Sequence, residues 1–221
     1  MLKIILIGAG PHSEVVIDII EEEEKYQIVG LVDSNREIGS KLKGYSILGR
    51  QEDIQKITFE NKVNSGLVCI GDNWSRMKVV NQIVSLVPSF NFITTIHPKT
   101  NISKNAKIGK GVVIMPGVTI NTDAIVGNFC IINTNSSFEH YCIMDDFSSI
   151  SAGVTTGGFV KIGQFSAIAL GATIFDRIEI GYNSVIGSAS LVSKNVPNNV
   201  LVYGIPAKII KERKAGEKFL K

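Results

Sequence analysis

The chain has 221 residues, a formal net charge of +3 with acids and bases interspersed, and three cysteines. That length suits one or two domains, and the mixed charge offers no basic stripe to follow a phosphodiester backbone, which argues against nucleic acid as a partner. An odd cysteine count without pair spacing, no signal peptide, and an apolar N-terminal run too short to span a bilayer make a cytoplasmic protein the expectation, with no membrane partner.

Residues 3–7 read as a continuous apolar strand, followed by the turn Gly8-Ala9-Gly10-Pro11-His12-Ser13 and an amphipathic helix through Val15, Val16, Ile19 and Ile20. The acidic run at 21–24 is its expected solvated end. A second strand, 27–32, ends in Asp33. Strand, glycine turn, helix and acid together form the opening of a nucleotide-binding βαβ unit, in which the turn aims backbone N–H groups at an anion and the acid reaches a ribose hydroxyl. Ser13 stands where the third glycine of that pattern would be, and Pro11 removes one donor, so the bland alternative is a turn that only joins strand to helix.

Residues 39–50 read as a loop with a short strand at 46–48. An apolar strand at 66–70 leads into Gly71-Asp72-Asn73 and a helix from 74 to about 86, capped by Asp72 or Asn73. Residues 92–96 supply a last strand before His97-Pro98. These elements make a Rossmann-like α/β half domain over residues 1–96. With no Gly/Ser linker after it, it is expected to sit rigidly on the mouth of the next unit.

Between Ile102 and Val192 an apolar residue returns at every sixth position without insertion, Thr156 being the one polar member of the column. Four residues after each comes a small or β-branched partner, such as Ala106, Cys130, Cys142, Ser148 or Ala172. A six-residue period matches neither the 3.6-residue face of a helix nor the turn spacing of hairpins. It fits an all-β parallel β-helix of hexapeptide repeats, in which three hexads close one triangular coil around a narrow lumen and each coil needs a neighbour to cover its open face. Gly109, Gly127, Gly163, Gly181 and Gly187, each directly after a column residue, are expected to release the backbone at corners. The β-helix takes residues 97–195. Residues 196–221 break the repeat, cap its open end and close in a basic helical tail.

Histidine occurs at positions 12, 97 and 140, and only His140 lies within the coils. It sits two residues after Phe138, in a column that also holds Lys104, Lys110, Thr122, Asn128, Asp146, Gln164 and Asp176, and so faces outward. An imidazole with a reference pKa of about 6.5 accepts a proton at neutral pH. Three hexads per coil put Thr122 and Gly158 beside His140 at about 4.8 Å. A glycine there lets a ligand approach a backbone N–H, as an oxyanion needs. The alternative for His140 is a surface histidine without a task. The three histidines have no second ligand at metal-site spacing, so no metal centre is expected. Cys69, Cys130 and Cys142 read as buried small residues.

The GAGPHS turn, the LVDS strand end, the IGDN segment, the IHP entry, the NTNSSFEH stretch, the hexapeptide array and the closing GIPAK together resemble the bacterial sugar acetyltransferases of the left-handed β-helix superfamily. The nearest likeness is to the NeuD/PglD-like group of nucleotide-4-amino-sugar N-acetyltransferases and their sialic-acid O-acetyltransferase relatives, over nearly the whole chain. The resemblance implies left-handed coils, a homotrimer, acetyl-CoA as co-substrate in a groove between neighbouring β-helices, and a UDP-linked 4-amino-dideoxysugar on the N-terminal domain. It implies His140 as general base, Gly158 N–H as oxyanion donor and Asn133 as a residue that orients substrate. Gly10, Pro11, His12, Asp33, Ser34 and Gly71 would touch the nucleotide sugar, and Ser149, Gly158, Leu170, Gly187 and Ser188 the coenzyme. Two positions depart from the family: Tyr141 replaces the acid that usually follows the histidine, and Ser149 replaces a second histidine near the thioester. Glu139, Asp145 and Asp146 are the remaining candidates for the missing carboxylate.

Three other functions compete with amine acetylation. Acetylation of a sialic-acid-type hydroxyl would use the same base and groove. A nicotinamide-dependent oxidoreductase is suggested by the glycine turn and Asp33, but residues 1–96 supply only about half a doubly wound sheet. A noncatalytic scaffold would need only the coils.

Overall fold

The computed structural model describes residues 1–219. β1 (Leu2–Ile7), α1 (Pro11–Glu23) and β2 (Tyr26–Val32) make the expected parallel βαβ unit, paired from Leu2↔Tyr26 to Ile7↔Val32. With β3 (Lys41–Leu42), β4 (Tyr45–Gly49), β5 (Ser65–Val68) and β6 (Asn91–Phe92) they form a sheet in the order β3-β4-β2-β1-β5-β6. Ile4, Ile5, Leu6 and Ile7 are all fully buried, as a central parallel strand covered on both faces requires. α2 (Ile54–Glu60) packs Ile54 and Ile57 against Ile5 and Val32. This helix and β3 escaped the sequence reading because such short elements show no period. Asp72 caps α3 (Asn73–Leu86), its Oδ1 accepting the Ser75 N–H at 2.8 Å.

The strand expected at 92–96 divides instead. β6 completes the N-terminal sheet, whereas Thr95–Ile96 pairs with Val113–Ile114 as the first rung of the β-helix. Ile93 and Thr94 suffice to step from one sheet to the other, and Thr94 Oγ1 donates to Gly109 O at 2.8 Å. The coil therefore begins just before the boundary expected at residue 97.

Two-residue strands then recur every six residues on three parallel faces, each paired with the strand one coil on, as in Val113↔Ile131 and Ile131↔Ser149. Ile114, Ile132, Ile150 and Ile168 of the inward column are fully buried, while Ile102 and Ile108 at the open mouth are only half-buried. Each sealed side chain contributes roughly 1.5–3 kcal/mol, and only stacked coils can seal it. Phe138, the one aromatic member of the column, is followed one coil on by the smaller Thr156, both buried in the lumen.

The corners correct one expectation. The glycines directly after column residues do not carry the left-handed backbone. Positive φ falls two residues later, on Asp123 (54°), Phe129 (56°), Asn135 (55°), Tyr141 (55°) and their equivalents. What requires glycine at 109 and 127 is close approach of the next coil: a Cβ on Gly109 would lie 2.7 Å from the Gly127 carbonyl carbon, and one on Gly127 2.6 Å from Asp146 Oδ1.

The N-terminal unit covers more than the mouth. Phe129, Phe147 and Phe165, one per coil on a single corner, stack at 4.9 and 5.6 Å, and α3 runs along them. Trp74 stacks on Phe165 at 4.0 Å and donates Nε1–H to Asn183 Oδ1 at 2.9 Å. Arg76, 1% exposed, donates Nε–H to Phe129 O at 2.8 Å and Nη1–H to Ile70 O and Gly71 O at 2.9 Å each. At the mouth the acidic end of α1 is not merely solvated. Glu22 Oε2 lies 3.1 Å from His97 Nε2, and Glu23 Oε2 accepts the Thr95 hydroxyl at 2.8 Å.

The closing segment brings another correction. Val200–Gly204 extends one face of the coils, and Ala207–Glu212 returns antiparallel to it, so the tail expected as a basic helix is a strand. The open sheet edge gives its backbone partners that outweigh the weak helical preference of a short charged segment. Among the described residues no helix is long and apolar enough to cross a membrane, and no group of three or more His, Cys, Asp or Glu side chains could hold a metal ion. Cys69, Cys130 and Cys142 are free and buried, and burial pushes the Cys130 thiol up to about 11.

Candidate active site

The glycine turn is braced from both sides. Gly8 N–H donates to Val32 O at 2.8 Å, and the fully buried Ser13 directs its hydroxyl at Gly8 O (2.7 Å), with Cys69 O at 3.3 Å. The serine that replaces the third glycine thus ties the turn to the ends of β1 and β5. Gly10 and Pro11 open α1 without a side-chain cap. Asp33, expected to reach a ribose, has a structural task first. Its Oδ2 accepts the Ala9 N–H at 2.8 Å, and its Oδ1 accepts those of Asn35 (2.8 Å) and Arg36 (3.0 Å). A carboxylate offers about four acceptor positions, so little capacity is left for a ligand. Ser34 lies exposed on the same loop.

Between this turn and the coils lies a cleft of about 270 Å³. His12, Gly71, Asn133, Ser149 and Leu170, named above from separate stretches of sequence, line it together with Thr134, Ser151, Ala152 and Phe219. Burial, with the Arg76 charge as a lesser cause, lowers the His12 pKa to about 4, so its ring is neutral. His12 Nε2 and Ser149 Oγ are out of solvent and without hydrogen-bond partners. Orphaned polar atoms in a cleft wall are costly until a ligand pairs with them. Asn133 Nδ2 donates to Ile150 O at 2.8 Å, which fixes its amide against the next coil. Leu170 is 59% exposed and forms the apolar lip, with Ser188 one coil further along the same corner. Gly187 departs from expectation: it is buried under the Tyr203 ring, which a Cβ would overlap, so Tyr203 takes the outer surface there.

The neutral state of His12 has a measurable consequence. Its pKa falls from 6.5 in the unfolded chain to about 4 in the folded one, so between those values the unfolded state binds more protons. The stability this gives is fully present above about pH 6.5 and is lost as pH falls towards 4, by about 3 kcal/mol in all. In thermal melts from pH 7 to 4.5, His12→Asn should lose about 5–10 °C less than the wild type. Identical pH slopes would contradict this burial.

His140 stands on the adjacent corner, after the strand Ser137–Phe138, and points outward with 42% of its side chain exposed. The cleft opens on the corner after Ile131–Ile132, so one chain does not bring His140 into its own cleft. A carboxylate approaches from the other side of the histidine: Glu139 Oε2 lies 3.4 Å from His140 Nδ1 and accepts Asn121 Nδ2–H at 2.9 Å. Asp146 serves a different corner, accepting the Asn128 N–H at 2.6 Å. Tyr141 is not a hydrogen-bond partner of the imidazole. It meets that ring edge-on at 5.9 Å and stacks on Phe159 at 5.0 Å, with the Arg177 guanidinium 4.4 Å beyond.

Gly158 lies directly against His140, and a Cβ there would stand 2.5 Å from Nε2. Its expected role as oxyanion donor meets an obstacle, because its N–H already donates to Asp176 Oδ1 at 2.8 Å. Aspartate and asparagine at this corner position reach back one coil to such N–H groups, as Asp146 does to Asn128 and Asn198 to Tyr182. Gly158 therefore makes room for the imidazole, and an acetyl oxygen reaches its N–H only by displacing Asp176. Asn121, Arg76 and Trp74 were not singled out from the sequence. The aromatics at 129, 147 and 165, one coil apart, were the available signal for the corner on which α3 docks.

Residues 3–83 match the family model described as PglD N-terminal domain, and residues 99–134 the one described as bacterial transferase hexapeptide (six repeats). The chain is 28% identical over 205 residues to the GDP-perosamine N-acetyltransferase of Escherichia coli O157:H7, covering 90% of this chain and 81% of that one. PerB from Caulobacter crescentus, solved with CoA and GDP-perosamine, superposes with a TM-score of 0.88 at 27% identity, covering 95% of this chain and 97% of that one. The acetyltransferase domain of PglB from Neisseria gonorrhoeae, solved with acetyl coenzyme A, gives a TM-score of 0.86 at 27% identity over 94% of this chain and 98% of that one. An N-terminal unit of PglD type followed by hexapeptide coils, in one order over nearly the full length, is the architecture this chain shares with these left-handed β-helix sugar N-acetyltransferases.

Proposed function

We propose that this acyltransferase moves an acetyl group from acetyl-CoA to the amine of a nucleotide-linked amino-deoxysugar, in the cytoplasm and in service of surface glycan synthesis. The observation that carries the reading is a divided site. One corner of the coil presents a cleft with two orphaned polar atoms, and the next corner presents an outward imidazole backed by a carboxylate. A homotrimer, packed corner to corner, would unite the cleft of one chain with His140 of its neighbour. The cleft volume also supports a partial site, being below the roughly 300–1,000 Å³ of a complete ligand pocket. Relatives crystallised with CoA and GDP-perosamine support both the donor and the class of acceptor.

In this reading the His140 Nδ1–H faces Glu139, which leaves Nε2 as the acceptor. As the sugar amine attacks the thioester carbonyl, Nε2 takes its proton; the C–N bond forms, the C–S bond breaks, and the proton passes to the departing coenzyme sulfur. His12 and Ser149 offer their unpaired atoms to the sugar and the acetyl end of the coenzyme. The relatives support a GDP-linked acceptor, where the family resemblance implied a UDP-linked one.

Thiol release from acetyl-CoA, measured with GDP-perosamine, its UDP-linked counterpart and free sialic acid, tests this. Release with a nucleotide-linked amine, and an amide product by mass spectrometry, is the expected result. Release with sialic acid alone would replace it by hydroxyl acetylation, and failure to bind coenzyme A would leave a scaffold.

A further inference from the structure

Thr156 is the one polar residue in the inward column, and no part of the mechanism above uses it. Its side chain is 1% exposed, inside the lumen. Along the coils, the N–H that follows each column residue donates to the backbone carbonyl of the equivalent column residue one coil on: Ser103 to Ile120 O, Asn121 to Phe138 O, Gly157 to Ile174 O and Phe175 to Val192 O on this face alone. Among the described residues Glu139 breaks that rule. Its N–H donates to Thr156 Oγ1 at 3.0 Å, and the same hydroxyl lies 3.4 Å from Ser137 O. The strand pairing thins at the same point: Ser137–Phe138 and Thr155–Thr156 keep only the Ser137↔Thr155 pair, where the neighbouring rungs of this face keep two.

A hydroxyl has thus entered the ladder at the residue whose side chain backs His140. It accepts from the N–H before the imidazole and holds open a rung that an isoleucine would close. We infer that Thr156 is a positioning residue for His140, setting through the Glu139 backbone the direction in which Glu139 and the imidazole leave the coil. The inference rests on His140 being the base, and it deepens that reading.

The test compares Thr156→Val, which keeps the shape, with Thr156→Ser, which keeps the hydroxyl, and carries His140→Gln alongside. In thiol-release kinetics with acetyl-CoA and GDP-perosamine, or the UDP-linked counterpart if the wild type turns over only that, Thr156→Val is expected to lower kcat at least tenfold. Its KM for acetyl-CoA should stay within twofold of wild type, and its Tm should be no lower. Thr156→Ser should keep kcat within threefold. Amide hydrogen exchange of the free protein should be faster at Glu139 in Thr156→Val and unchanged in Thr156→Ser. Wild-type turnover in Thr156→Val, or unchanged exchange at Glu139, overturns the inference. If His140→Gln is inactive while Thr156→Val is fully active, only the positioning role falls; if His140→Gln is fully active, the base assignment falls with it.

Discussion

Replacing His140 by alanine should lower kcat about 10²–10⁴-fold, the usual worth of a positioned general base, with little change in the KM for acetyl-CoA. The ring is exposed and packs on Gly158, so its removal opens no core cavity and folding should be unaffected. The companion variants apportion the effect. Glu139→Gln removes the charge behind Nδ1 but keeps a side chain for Asn121, and should cost about tenfold, because the contact is long at 3.4 Å and partly open to water. Tyr141→Phe should leave the rate within twofold, since the tyrosine meets the imidazole by its ring. A rate in His140→Ala equal to wild type would end the general-base assignment. A larger loss from Tyr141→Phe than from Glu139→Gln would move the supporting role to the tyrosine.

The second large effect should appear in mixed assemblies. Ala152→Trp fills the cleft and His140→Ala removes the base, so each variant alone should be almost inactive. If every site takes its cleft from one chain and its imidazole from another, random mixing on co-expression should rebuild functional pairs. A site then needs an open cleft and an intact imidazole from two different chains, each present half the time, so about a quarter of wild-type activity should return by this mass-action count. No recovery in a mixture shown by mass spectrometry to contain hybrids would mean that each chain completes its own site.

Much of this was legible in the sequence because a β-helix repeats its constraints. The six-residue period states which side chains enter the lumen, and three hexads per coil state which residues are neighbours, so the contact of His140 with Gly158 followed from spacing alone. The roles of His12, Gly71, Asn133, Ser149 and Leu170 came only from the resemblance, and their meeting in one cleft was not foreseen, since nothing local links α1 to those corners. What stayed hidden depends on rotamers and competition. Spacing leaves open whether Glu139, Asp145 or Asp146 turns towards the imidazole; Asn121 one coil away selects Glu139. Nor does it say that Asp176 already holds the Gly158 N–H, or that an open sheet edge would draw Ala207–Glu212 into a strand. The glycines after column residues were recognised, but their reason was mistaken: coil-to-coil clearance requires them, while the left-handed backbone falls two residues later, on Tyr141 and its equivalents.

The sole tryptophan of the chain, Trp74, is sandwiched into the seam between its two units, stacked on Phe165 and tied by its indole N–H to Asn183. The molecule therefore carries a built-in optical gauge. Loosening of the seam would alter indole emission while the coils still gave their β-type circular dichroism, so one sample distinguishes parting of the two units from melting of the spiral.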